Sequence, residues 1–234
     1  MSAGQQPGTP AASATPGAEA AIGWCSPDVA AELPDLRLLS CEVQVGRRGR
    51  LTGDSPPDVV AQLRSMSSRI RGARAIAMRR EPVPAAYRVF YLQIGMDPDV
   101  QRTPIEAAVL ERMLRGGFPT AGLLEDVLMI AMLDTGVAAW ALAADTLDGP
   151  LGIRTSREGE PLGRAADAVP LPLGRLVIAD ASGPVAVLFG EVGEPHQPRD
   201  GTRSLVVFAV QVAGVPTLYV EESLWSARTS LEHP

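Results

Sequence analysis

One of the two histidines of this chain, His196, sits in a ten-residue stretch that also holds Glu191, Glu194 and Asp200. Imidazole plus carboxylate suits Fe, Mn or Zn, so Glu191, His196 and Asp200 are a candidate ligand set for a divalent metal. The same stretch also reads as a polar loop between strands. A Ser-His-Asp arrangement would have to use His196 too, because His233 is the penultimate residue. Glu125-Asp126 is the other notable carboxylate pair, on an apolar helix. It suits acid–base work, or it is a helix charge met by a neighbouring Arg. The two cysteines, Cys25 and Cys41, lack a CxxC partner and make neither a disulfide framework nor a metal cluster. No glycine-rich dinucleotide or P-loop signature is present, nor an HExxH or GxSxG motif. No organic cofactor is expected; a divalent metal is the one the residues allow.

All 21 basic residues are Arg, a pattern of GC-rich coding bias rather than of a binding preference. The net charge of −6 is unevenly spread: residues 36–88 carry eleven Arg against four acids, and 89–234 carry ten against nineteen. A protein that grips nucleic acid needs concentrated positive surface. Only the 36–88 segment offers it, through Arg47, Arg48 and Arg50 in a turn and Arg64, Arg69, Arg71, Arg74, Arg79 and Arg80 beyond. The alternative is a solvated helix face and loop.

The elements that must position these groups follow from periodicity. Residues 1–23 are rich in Ala, Gly and Pro and read as a disordered tail; 24–234 read as one domain. Leu36–Val45 reads as a strand that ends at the turn Gly46–Gly53. Asp54-Ser55-Pro56-Pro57 signals a helix start, and Val59, Leu63, Met66 and Ile70 recur at helical spacing. Tyr87, Phe90, Tyr91 and Ile94 stripe a short helix. Thr103-Pro104 with Glu106 predicts a capping box on a helix that runs to about Arg115. A further helix spans about Leu123 to Asp134. Val127 to Ala144 has the apolarity of a membrane span, but Asp134-Thr135-Gly136 interrupts it, as a helix end before a strand would. Strand-like runs follow at 137–143, 151–154, 175–180, 184–189 and 203–211, with Ala181-Ser182-Gly183 as a hairpin turn. Thr217 to about Ser230 is an amphipathic helix. The fold class is α+β, a mixed and mostly antiparallel sheet packed with helices. The N-terminus lacks the features of a signal peptide, which makes the cytoplasm the default compartment.

Several segments in order resemble one family. Gln101-Arg102-Thr103-Pro104-Ile105-Glu106-Ala107-Ala108, then Leu110-Glu111-Arg112, looks like its "R-S-x-E-A-L-x-R-R" helix. Phe118-Pro119 and Leu124-Glu125-Asp126 resemble "LP…LVD". Gly136-Val137 through Asp145, then Leu147-Asp148-Gly149-Pro150-Leu151, resembles "G-L-P-V-x-A-x-D…I-x-G-x-L". Gly159-Glu160 matches a "GE" turn, and Gly174 to Asp180 a "G-E-V-V-Y-x-D" strand. The family is the editing (B3/B4) domain of the phenylalanyl-tRNA synthetase beta subunit, here resembled in freestanding form.

The resemblance implies a substrate cleft between sheet and helices, in which a mischarged aminoacyl ester is hydrolysed by positioning alone. Arg102, Asp126, Asp145 and Glu160 are the matched positions that would face it. Asp126, Asp145 and Glu160 are thereby candidate catalytic residues, and Arg102 and Thr202 candidate substrate contacts. Met129 stands where standalone relatives have Asn, Leu188 to Glu191 replace "W-N-W-R", and Pro195 to Thr202 replace "T-x-L-T-E-D-T". Three functions follow as expectations. The first is binding of tRNA or aminoacyl-tRNA, with or without ester hydrolysis. The second is small-molecule chemistry on an amino-acid-like ligand, with metal through Glu191, His196 and Asp200. The third is a non-catalytic RNA- or protein-binding module.

Overall fold

The computed structural model describes residues 20–46, 50–163 and 170–233. In chain order the elements are β1 (Ala21–Ile22), β2 (Trp24–Cys25), α1 (Pro27–Glu32), β3 (Arg37–Gln44), α2 (Pro57–Arg69), α3 (Ala73–Ala77), α4 (Pro82–Gln93), α5 (Pro104–Arg115), α6 (Leu123–Thr135), β4 (Ala139–Ala143), β5 (Gly152–Thr155), β6 (Leu176–Ala179), β7 (Pro184–Val187), β8 (Ser204–Gln211) and α7 (Thr217–Glu232). The α+β class is as expected, but the strands divide between two sheets. One is antiparallel throughout, in the order β1-β3-β8-β4; the other runs β2-β5-β6-β7, with β2 parallel to β5.

The first sheet is built on the long β3–β8 pair, registered from Arg37↔Gln211 to Gln44↔Ser204. Helix α7 packs on these two strands through Val220, Leu224, Ala227 and Leu231, one turn or two apart on a single face and all buried. Ser223 Oγ–H donates to Val137 O at 3.0 Å and ties α7 to the segment before β4. Helix α6 ends where Gly136 adopts φ 79°, and its N–H closes on Met132 O at 2.8 Å. Glycine takes that left-handed conformation without a Cβ clash, so the apolar run of 127–144 becomes a helix end and a strand. Among the described residues no helix is long and apolar enough to cross a membrane.

Three local expectations need correcting. Ala21 and Ile22, placed in the tail by composition, pair with Ser40 and Leu39, since a backbone ladder needs no large apolar side chain; residues 1–19 lie outside the described residues. Thr103 and Glu106 occupy the capping-box positions, but the Thr103 hydroxyl donates to the Glu106 carboxylate at 3.0 Å instead of accepting from the helix backbone. Glu106 is drawn there because it also accepts from Arg88 at 2.8 Å, which joins α4 to α5. The stripe at 87–94 belongs to a twelve-residue helix that begins at Pro82.

The interior between α4 and the sheets is filled with rings. Tyr87, Phe90, Tyr91 and Trp140 lie 5.7, 5.8, 5.4 and 5.9 Å from Phe189, and Trp140 stacks on its cross-strand partner Phe208 at 5.8 Å. Tyr87 reaches through them to donate to Val210 O at 2.7 Å. The space between helix α4 and the first sheet is therefore packed aromatic core. The open clefts lie along the second sheet and at α5.

Candidate functional site

Of the three candidate catalytic carboxylates, Glu160 lines an open cleft. Gly159 (φ 72°) turns the chain after β5 so that Glu160 doubles back on Arg154. The Arg154 guanidinium grips both Glu160 oxygens, and the Arg157 N–H donates to Glu160 Oε2 at 2.9 Å. These donors, Arg154 foremost, outweigh partial burial and hold the Glu160 carboxyl below its ordinary range. The adjoining cleft, of about 380 Å³, is bordered by Trp24, Arg154, Arg157, Glu160, Asp180 and Ser182. Trp24 lies flat over Gly152: a Cβ at that position would sit 2.0 Å from the ring, so only glycine admits it. Its indole N–H donates to Pro150 O at 3.0 Å.

Asp180, across the same cleft, was not singled out from sequence. It accepts from the N–H groups of Asp148, Ser182 and Gly183 and from the Ser182 hydroxyl. Burial pushes its pKa up, but these hydrogen bonds prevail and lower it. The signal was available, because Asp before Ala-Ser-Gly is an Asx-turn pattern whose side chain closes its own hairpin. A general base working near neutrality needs a raised pKa. Glu160 and Asp180 have lowered ones, and each keeps one oxygen, Glu160 Oε1 and Asp180 Oδ2, that accepts a single hydrogen bond.

The other candidates are placed elsewhere. Asp126 is buried at the first turn of α6, where it accepts from Ser55 Oγ–H at 2.5 Å and the Ala121 N–H at 2.9 Å; it fastens the approaches to α2 and α6. Asp145 is exposed in the 3-10 turn Ala144–Thr146. Thr202 closes a turn with Arg199, accepting from the Arg199 N–H at 3.0 Å.

The metal set is not assembled. Asp200 is taken by Arg50 (2.8 Å) and by the Thr52 hydroxyl (2.7 Å) and N–H (3.1 Å), and these contacts lower its pKa to about 2. His196 is buried, with Nδ1 at 3.0 Å from Thr146 Oγ1. The Thr146 hydroxyl also reaches Ala143 O at 2.7 Å. Glu191 is exposed. Among the described residues no three His, Cys, Asp or Glu side chains group to hold a metal.

The candidate RNA contacts divide likewise. Arg47 and Arg48 lie outside the described residues, and Arg50 is ion-paired to Asp200. The exposed arginines of α2, α3 and their flanks differ: Arg64, Arg71, Arg74 and Arg80 form no ion pair among the described residues. Arg102, exposed before α5, shares a groove of about 170 Å³ with Ile76 and Arg79.

Compared with known proteins, the chain is similar to the phenylalanine–tRNA ligase beta subunit of several bacteria. Identity is 38% over 115 residues with that of Xanthomonas euvesicatoria pv. vesicatoria, covering 47% of this chain and 14% of the relative. With the subunit of Xanthomonas campestris pv. campestris it is 40% over 94 residues (40% and 12%), and with that of Xylella fastidiosa 40% over 101 residues (42% and 12%). The matches thus span about one eighth of the relatives' length. No protein-family profile matches the chain.

Proposed function

We propose that this chain is a tRNA-binding domain that lays the face formed by α2, α3 and the start of α5 against the phosphate backbone. The observation that carries the reading is the set of exposed arginines that form no ion pair among the described residues, Arg64, Arg71, Arg74, Arg80 and Arg102, in a chain whose net charge is −6. An acidic protein that keeps one basic face concentrates its attraction for polyanions there. The local similarity to a tRNA ligase subunit supports tRNA as the polyanion, and a cytoplasmic location goes with it. The test is binding of unfractionated tRNA at rising salt, by fluorescence anisotropy. Affinity should fall steeply with salt. Changing Arg64, Arg71, Arg74 and Arg80 together to Gln should flatten the slope by roughly 3 in log–log terms, at about 0.7–0.9 per phosphate contact. An unchanged slope in that variant would overturn the proposal.

A second reading is favoured by the cleft that Glu160 and Asp180 border: hydrolysis of an aminoacyl ester. Water would add to the ester carbonyl and release the amino acid and the ribose hydroxyl. With both carboxylates firmly ionised, the carboxylates would orient the ammonium group and the water, and the effect would be one of positioning. Incubation with a panel of mischarged tRNAs tests this reading. Release of amino acid that drops at least tenfold in Glu160→Gln supports it, and no release above the uncatalysed rate dismisses it.

A further inference from the structure

We propose that the cleft between α1, the end of α4 and the start of β6 binds a small zwitterion with an apolar side chain, a free amino acid or a short peptide. The cleft has a volume of about 510 Å³, ample for such a ligand. One side carries Asp28 and Glu32, four residues apart and so on one face of α1. Asp28 accepts from the Thr155 hydroxyl at 3.4 Å. The other side carries Arg175, whose backbone is pinned to Ser156: the Arg175 N–H donates to Ser156 Oγ at 2.9 Å, and the Ser156 N–H to Arg175 O at 2.7 Å.

No ion pair joins Arg175 to Asp28, to Glu32 or to any other carboxylate among the described residues. Opposite charges therefore line one cleft without neutralising each other. Apolar side chains share the lining, with Leu33, Ile94, Met96 and Leu176 half-buried there. A ligand that presents an ammonium to Asp28 and Glu32, a carboxylate to the forked guanidinium of Arg175 and a hydrocarbon side chain to Leu33, Ile94 and Leu176 satisfies all three together. The inference is independent of the tRNA reading, since none of these residues belongs to the basic face.

Calorimetric titration of the full chain, without RNA, with L-leucine and L-leucyl-L-leucine tests it. Saturable binding of either is expected, and the tighter of the two identifies the source. N-acetyl-leucine, without the ammonium, and leucinamide, without the carboxylate, should each bind at least about tenfold more weakly, as befits the loss of a charge-assisted contact. Arg175→Met should weaken leucine and leave leucinamide unchanged. Asp28→Asn with Glu32→Gln should weaken leucine and leave N-acetyl-leucine unchanged. All three positions are on the surface or half-buried, and melting temperatures like that of the parent chain will certify folding. No saturation with either ligand up to about 10 mM overturns the proposal. Equal binding of the capped ligands also overturns it, since the cleft would then be an apolar groove alone.

Discussion

At Asp126 a buried carboxylate satisfies two donors from different segments, the Ser55 hydroxyl and the Ala121 N–H. Asp126→Ala removes the acceptor of both part-buried donors, and a loss of about 1–3 kcal/mol is expected. It would be read as a lower urea midpoint with an unchanged slope; unaltered stability would return Asp126 to the list of chemical candidates. Glu160 makes a prediction of pH dependence. Its folded pKa is depressed, with Arg154 as the first cause. Its contribution is therefore fully present above the unfolded carboxylate value of about 4.3 and is lost as pH falls through the lower folded value. Thermal melts below about pH 4 should show a shallower acid decline in Glu160→Gln than in the parent chain; parallel declines would mean that the Arg154–Glu160 pair adds nothing. The sequence supplied the residue types at both positions. It did not supply the partner of Asp126, because Ser55 lies 71 residues away and no local pattern couples them, whereas Arg154 and Arg157 stand within six residues of Glu160.

At the scale of elements, the end of β7 is the most constrained segment. Phe189 is the only non-glycine residue at positive φ (55°) among the described residues, a conformation that costs roughly 1–2 kcal/mol. It is held by a turn in which the Gly190 N–H donates to Val187 O at 2.9 Å and by four surrounding rings. Each aromatic pair contributes about 0.5–1.5 kcal/mol beyond area burial, so the cluster offsets the strain. Phe189→Gly relieves the backbone and empties the cluster. A net loss of about 2 kcal/mol by chemical denaturation is expected, because deleting a core Phe costs about 3–5 kcal/mol; a gain in stability would show that the strain dominates. Helix α4 was legible from its stripe of Tyr87, Phe90 and Tyr91, as were α5, α6 and α7 from their caps and spacing. The short α1 and α3, six and five residues long, were missed because one turn of helix leaves too brief a periodicity to detect.

For the whole molecule, one contiguous core joins both sheets: Leu38, Val43 and Val207 from the first belong to the same cluster as Ile153, Ile178 and Val185 from the second. Unfolding should be a single cooperative transition. Trp24 and Trp140 report from different sheets. In urea, the fluorescence of Trp24→Phe and Trp140→Phe variants, each corrected to its own stability, should therefore follow the same midpoint as circular dichroism; separated midpoints would mean two independently unfolding units. By itself the sequence determined the α+β class, most strand and helix positions, the hairpin at 181–183 and the segment in which positive charge gathers. These depend on period, turn residues and composition, all of which are local. Only the tertiary structure decided that the strands form two sheets. It also paired Arg50 with Asp200, buried His196, gathered rings around Phe189 and left charges of both signs, without an ion pair among the described residues, beside α1 and β6. Those outcomes depend on which side chains meet across tens to more than a hundred residues of chain, where packing and charge pairing govern and sequence spacing carries no signal.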